Sequence, residues 1–232
     1  MSYPRLRRTV TRVAGLAVLL LLPRWASAGA NDWETNTLGK AGGILEEMVR
    51  RDDVPPALLA KAKCIVVLPD VTKFTFGIGG TGGRGAVSCR TGKSLNGPWS
   101  APSIYSLSRL DVGLLGGAST DYVLLVMTDH GVESLVKGKT KLGGSVTVAA
   151  GPTGATTTSS PTGTDILSYG RTTKVFTGVS LRGAAIEPDE SANKDLYGRA
   201  VSAREILMGN TVRPPFAAQP LISLLNSRAK AH

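Results

Sequence analysis

The tightest constraint on this fold is the run Tyr122-Val-Leu-Leu-Val-Met127, six apolar residues in succession without polar alternation. A strand of that composition must be covered on both faces, so it belongs in the middle of a sheet. A glycine-rich apolar run from Val112 to Gly117 precedes it, and Ala118-Ser119-Thr120-Asp121 reads as the short polar turn of a central hairpin. The span is no membrane helix: Asp121 and several small residues interrupt it, and a spanning helix needs about 20 apolar positions.

The beginning of the chain reads as a processing segment. Arg5, Arg7, Arg8 and Arg12 precede an apolar stretch from Val13 to Leu22, and Ala26-Ser27-Ala28 supplies a small-residue cleavage site. Residues 1–28 are therefore expected to be a cleaved signal peptide, with 29–36 a flexible start and 37–228 one domain. The 27 Lys+Arg of the whole chain face 17 Asp+Glu. Five of those arginines lie in the signal segment, so the remaining chain is only mildly basic. That balance does not demand nucleic acid, and it suits attraction to anionic headgroups at about 1 kcal/mol per well-placed Lys or Arg. Export also bears on the two cysteines, Cys64 and Cys89. In an oxidising compartment they could bond, closing a loop of about 26 residues for roughly 3.5 kcal/mol; two buried thiols is the equal alternative.

Further along, Leu38, Ala41, Leu45, Met48 and Val49 recur at helical spacing. The resulting amphipathic helix either packs on the core or lies on a membrane. Pro55-Pro56 opens a second helix. Cys64 to Leu68 is a strand ended by Pro69-Asp70, a second strand alternates through Phe74, Phe76 and Ile78, and a third covers Gly85 to Arg90. Ser103 to Leu107 follows, then the central pair, then Val132 to Val136 as a helical turn or strand. Ser145 to Ala150, Asp165 to Tyr169, Lys174 to Leu181 and Ala184 to Ile186 read as strands, with a polar loop from Gly151 to Thr164. Asn193 to Tyr197 is a short helix, Ser202 to Glu205 a capping box, and Pro220 to Ala229 a closing helix. The expected class is α+β: a single compact β-rich domain, mostly antiparallel and sandwich- or barrel-like, with helices flanking it at both ends.

Two phosphate-loop patterns fail on their context. Gly77-Ile-Gly79-Gly-Thr-Gly82 matches a dinucleotide fingerprint, but strand or turn residues follow it where a helix must supply the amides. Thr91-Gly92-Lys93-Ser94 lacks the earlier glycine, Val87 standing in its place. Catalytic patterns are equally thin. His130 is a lone turn histidine, no G-x-S-x-G occurs, and two histidines with two separated cysteines make no metal set. Asp111, Asp121, Asp165 and Glu187 could meet only through the fold. No cofactor is expected.

Nine ordered segments carry a family resemblance: Leu59-Ala-Lys-Ala-Lys-Cys-Ile-Val-Val-Leu-Pro69, Phe76-Gly-Ile-Gly-Gly80, Gly97-Pro-Trp-Ser-Ala-Pro102, Ser119-Thr-Asp-Tyr-Val-Leu-Leu-Val-Met127, Lys141-Leu-Gly143, Val148-Ala-Ala-Gly-Pro152, Ile166-Leu-Ser-Tyr169, Phe176-Thr-Gly-Val-Ser-Leu181 and Tyr197-Gly198. In these the chain resembles the SYLF family, also called the Ysc84 actin-binding or lipid-binding SYLF family, over roughly Leu38 to Met208. The resemblance implies a non-enzymatic domain that binds membrane phospholipids, with actin binding in some fungal members. An exported chain resembles the bacterial stand-alone members, taken to act at the cell envelope, periplasmic or secreted, where actin is not a sensible partner. The chain departs from the family at Leu114 and Ala118, where glutamines are often found.

Lys137, Lys139 and Lys141, with Arg171 and Lys174, are the expected lipid-phosphate contacts, because ammonium and guanidinium groups suit phosphate oxygens. Lys61 and Lys63 form a second set. The expected partner is an anionic phospholipid surface, and the alternative is an envelope protein docked on a sheet edge or apolar patch.

Overall fold

In the computed structural model the described residues are 32–74, 78–112, 119–154, 157, 159, 161–172, 175–177 and 181–229. The expected signal peptide, Phe76, Leu114, Ala118 and Lys174 lie outside them.

The helix expected from Thr37 begins earlier. Helix α1 spans Asp32–Arg50, so the residues from Asp32 to Asn36, expected as a flexible start, are its opening turns. Acidic Asp32 and Glu34 in the first turn and Arg50 in the last complement the helix dipole. Its inward face is Leu38, Ala41, Leu45 and Met48, all fully buried. Burying a side chain of the size of Leu or Met contributes roughly 1.5–3 kcal/mol. That apolar face is therefore committed to the core, which corrects the membrane-inserting alternative. Gly42 permits the close packing: a Cβ there would stand 3.1 Å from Leu221 N.

After α2 (Pro56–Lys61) come β1 (Cys64–Phe74), β2 (Ile78–Cys89), β3 (Ser103–Val112), β4 (Ser119–Val126), α3 (Asp129–Lys137), β5 (Thr140–Lys141), β6 (Val148–Ala150), β7 (Ile166–Thr172), β8 (Val175–Thr177), β9 (Ala185–Pro188), α4 (Glu190–Tyr197), α5 (Ala203–Met208) and α6 (Gln219–Arg228). The strands form one sheet in the order β5-β9-β3-β2-β1-β4-β7-β6, with β8 paired to β7. All pairs are antiparallel except β6 with β7. Between the two outermost strands, Leu142 bridges Val146, and the sheet curls into a half-barrel. The class is α+β.

The central hairpin does not form. Strand β4 begins at Ser119, so Ser119-Thr120-Asp121 of the expected turn are strand, and β4 lies between β1 and β7, apart from β3; residues 113–118, the rest of the expected hairpin, lie outside the described residues. The six-residue apolar run is central, as its composition requires. Val123 and Leu125 enter one core with α1, α2, α4 and α6, while Tyr122, Leu124 and Val126 enter the other with α3 and α5.

Strand β1 does not end at Pro69-Asp70 either. Between the pairs Val67↔Ala86 and Thr72↔Gly82 it carries one residue more than β2, a bulge that proline tolerates. Asp70 takes φ 50° there. Opposite it, β2 must be glycine: a Cβ on Gly85 would fall 2.0 Å from Val67 O. Gly83 and Gly85, just past the pattern that mimics a nucleotide loop, thus serve close strand packing.

Cys64 and Cys89 face each other across β1 and β2 and are joined as a disulfide, S–S 1.97 Å. One residue beyond, Arg90 is only 4% exposed. Its guanidinium donates to the carbonyls of Ala60, Ala62, Gly97 and Ala229 and stacks on Trp99 at 4.7 Å. Among the described residues no carboxylate pairs with it. It ties the end of β2 to α2 and to the close of α6, and every described element lies between Asp32 and Arg228.

Candidate functional site

Helix α3 places the first group of expected phosphate contacts. Thr128 caps it by accepting from Gly131 N at 3.0 Å, and Lys137 closes it where cations suit the dipole. Gly138 turns the chain at φ 130°, Lys139 follows, and Lys141 lies on the edge strand β5. Lys137, Lys139 and Lys141 therefore form one exposed strip. Two of the three already hold acids: Lys137 meets Glu133 at 2.8 Å and Lys139 meets Glu187 at 3.6 Å. Such exposed pairs contribute at most about 1 kcal/mol and exchange readily. Arg182 stands beside the strip, its Cγ 2.9 Å from where a Cβ on Gly143 would be. Sequence reasoning missed it, because only the β5–β9 pairing brings it there.

Arg171 does not join the strip. It is 7% exposed on β7 and bonds Glu47 of α1 at 3.0 Å. That hydrogen bond holds the Glu47 carboxyl below its ordinary range. Lys63 is likewise engaged, with Asp129 at 2.6 Å, and Lys61 is exposed at the end of α2.

The lone histidine is not merely a solvated turn residue. His130 Nδ1 lies 3.2 Å from Asp165 Oδ1. Burial by itself pushes the Asp165 carboxyl up, but hydrogen bonds from Thr128 Oγ1, from Thr147 N and Oγ1 and from His130 outweigh it and bring the carboxyl down to about 2. A carboxylate held that low is a poor general base near neutrality. The four acids that could have met in space stay apart in the sheet register. Asp111 faces Gly79, Asp121 faces Arg171, Glu187 faces Ser106, and Asp165 precedes β7. Among the described residues no group of three or more His, Cys, Asp or Glu could hold a metal, and no helix is long and apolar enough to cross a membrane.

Two concavities flank α1. On one side a polar cleft of about 510 Å³ lies over the β1 bulge, lined by Trp33, Lys40, Asp70 and Arg84 among others. On the other, an apolar groove of about 640 Å³ runs between Gly39 and the short 3₁₀ turn Phe216–Ala218, with Phe216 92% exposed. No expected site residue lines either one. The cleft was hidden because Trp33 sits in the expected flexible start and Arg84 inside the glycine run.

The C-terminal half of the sheet, with α3 to α6, is also where a family model matches. Residues 109–228 fit the model Ysc84, described as Las17-binding protein actin regulator. The chain belongs to the Ysc84 family. Curated relatives of this Ysc84-family chain extend the likeness upstream. LAS seventeen-binding protein 3 of Saccharomyces cerevisiae is 34% identical over 204 residues, 82% of this chain and 43% of that protein. Protein YSC84 of the same yeast is 33% identical over 82% of this chain and 42% of its own length. The human SH3 domain-containing YSC84-like protein 1 is 33% identical over 75% of this chain and 51% of its own. The chain thus spans about half or less of the relatives it matches. The first of these names describes a binding protein, and the family description a binding protein and regulator.

Proposed function

We propose that this Ysc84-family chain is an exported, non-enzymatic domain that binds anionic phospholipid headgroups at the bacterial cell envelope, periplasmic or secreted. The observation that carries the reading is the exposed strip Lys137, Lys139, Lys141, running from the end of α3 to β5. An edge strand with lysines resists pairing with another sheet while offering ammonium groups to phosphate. The arginine-rich start, apolar stretch and Ala26-Ser27-Ala28 site support export. Actin and Las17 belong to the family description, and LAS seventeen to a yeast relative's name; neither is proposed as a partner of an exported chain.

The test is co-sedimentation of the chain from Gly29, which retains every described element, with liposomes of zwitterionic lipid alone and with anionic lipid added. Binding that needs anionic lipid and weakens at high salt supports the reading, since surface attraction fades over a Debye length of about 8 Å at physiological ionic strength. No sedimentation with any composition defeats it. The exposed Phe216 and its apolar groove favour one second reading, an envelope protein-interaction module. Such a module would ignore liposomes and retain a protein partner through that groove.

A further inference from the structure

The cleft over the β1 bulge has a more deliberate construction than the lysine strip. Trp33, 41% exposed, is at its rim. Arg84 reaches from β2 and lies over the indole, 4.8 Å from the ring centre. Its Nε donates to Asp189 Oδ2 at 2.9 Å, and the other oxygen of Asp189 caps α4 by accepting from Ala192 N. The guanidinium is therefore held on one face by a ring and on one edge by a carboxylate that a helix keeps in place. Among the described residues that bond uses one of its five N–H groups, and the side chain is 48% exposed. Two helical turns from Trp33, Lys40 lines the same cleft. Its ammonium rests 2.7 Å from Asp70, in a pair whose members are 48% and 60% exposed, the kind that gives way to a better acceptor. Pro69 and Leu107 add apolar lining.

We propose that this cleft binds a phosphate monoester carried on an apolar stem. The inference rests on the lipid-binding reading and gives it a headgroup site apart from the lysine strip. Each cation has one carboxylate partner, Asp189 for Arg84 and Asp70 for Lys40, and the exposed Lys40–Asp70 pair is the one a phosphate can open to reach both cations at once. The pre-oriented fork of Arg84 takes two oxygens and the mobile ammonium of Lys40 a third, whereas a carboxylate ligand would occupy the fork alone. Trp33 suits the junction of a polar head and an apolar stem, being apolar with one N–H. The volume lies within the range of small-ligand sites. A phospholipid headgroup and a soluble phosphate ester share this chemistry.

The test uses the chain from Gly29 with inorganic phosphate, glycerol phosphate, dihexanoyl phosphatidic acid, and phosphatidylcholine vesicles with and without phosphatidic acid. Binding is read by calorimetry and by a ligand-induced change in tryptophan fluorescence that Trp33→Phe abolishes, Trp99 remaining in both proteins. Saturable binding of dihexanoyl phosphatidic acid is expected, tighter than of glycerol phosphate. Arg84→Gln should weaken it at least about tenfold and Lys40→Gln by roughly threefold to tenfold, while Lys93→Gln, on an exposed turn, leaves it unchanged. Arg84→Lys, which keeps the charge and loses the fork and the stack, should fall between wild type and Arg84→Gln and guards against misfolding of the latter. No binding of any soluble probe, or wild-type affinity in folded Arg84→Gln and Lys40→Gln, overturns the cleft; vesicle binding that persists in those variants would then leave the lipid reading standing. Soluble binding without vesicle binding upholds the cleft and removes the membrane.

Discussion

Strand β2 carries Arg84, and Arg90 lies just past its end; each lies over a tryptophan at nearly the same distance, 4.8 Å from Trp33 and 4.7 Å from Trp99. The contacts match and the surroundings differ. Arg90 is buried and gives its hydrogen bonds to carbonyls from α2, the loop at Gly97 and Ala229. Burial draws its pKa below the ordinary value. Arg84 is half exposed and, among the described residues, satisfied at one nitrogen. A stacked arginine is a structural clamp when the chain itself supplies its acceptors, and a recognition group when it leaves donors for something else.

The sharpest way to break that comparison is Arg90→Met. It leaves several buried carbonyls without a donor, and the expected loss is roughly 3–5 kcal/mol by urea denaturation. A loss under about 1 kcal/mol would mean that Arg90 clamps nothing. Next comes the disulfide that pins the same end of β2: the double variant Cys64→Ala with Cys89→Ala should lose about 2–4 kcal/mol. Hydrogen exchange should then rise near Arg90 more than near Arg84, and a uniform rise would erase the distinction between the two ends.

Asp165 is the anionic counterpart of Arg90, a buried charge held by internal donors. Asp165→Asn is expected to lose about 1–3 kcal/mol at neutral pH. Its carboxyl falls from the ordinary 3.8 to about 2 on folding, so its contribution is full above pH 4 and is lost as pH falls towards 2. The variant should lack that part of the acid slope; an unchanged slope between pH 4 and 2 would show that the four hydrogen bonds do not hold the charged form. The smallest expected effect is Arg84→Gln, within about 1 kcal/mol of wild type in stability. A larger loss would make Arg84 a second clamp.

Much of the fold was legible locally. The unbroken run Tyr122 to Met127 demanded a central strand, and Leu38, Ala41, Leu45 and Met48 announced the inward face of α1. At the capping box, Ser202 accepts from Glu205 N as expected, while the glutamate carboxylate turns to Arg199 at 2.7 Å. The hairpin failed because strand pairing is a long-range choice: β1, some fifty residues earlier, takes the place beside β4. The bulge at Asp70 was misread as an end because proline and a turn residue punctuate both.

The candidate site was legible in part. Lys137, Lys139 and Lys141 are neighbours in sequence, so their strip survived folding, whereas Arg171 was taken inward by Glu47. Trp33, Lys40 and Arg84 carry no shared pattern along the chain. Composition and period settled the inward face of α1 and the central place of the apolar run in β4, since those are decided by a residue and its near neighbours. Tertiary structure alone decided which charges are cancelled by the chain and which remain for a ligand, because an ion pair depends on register and packing between segments far apart in sequence.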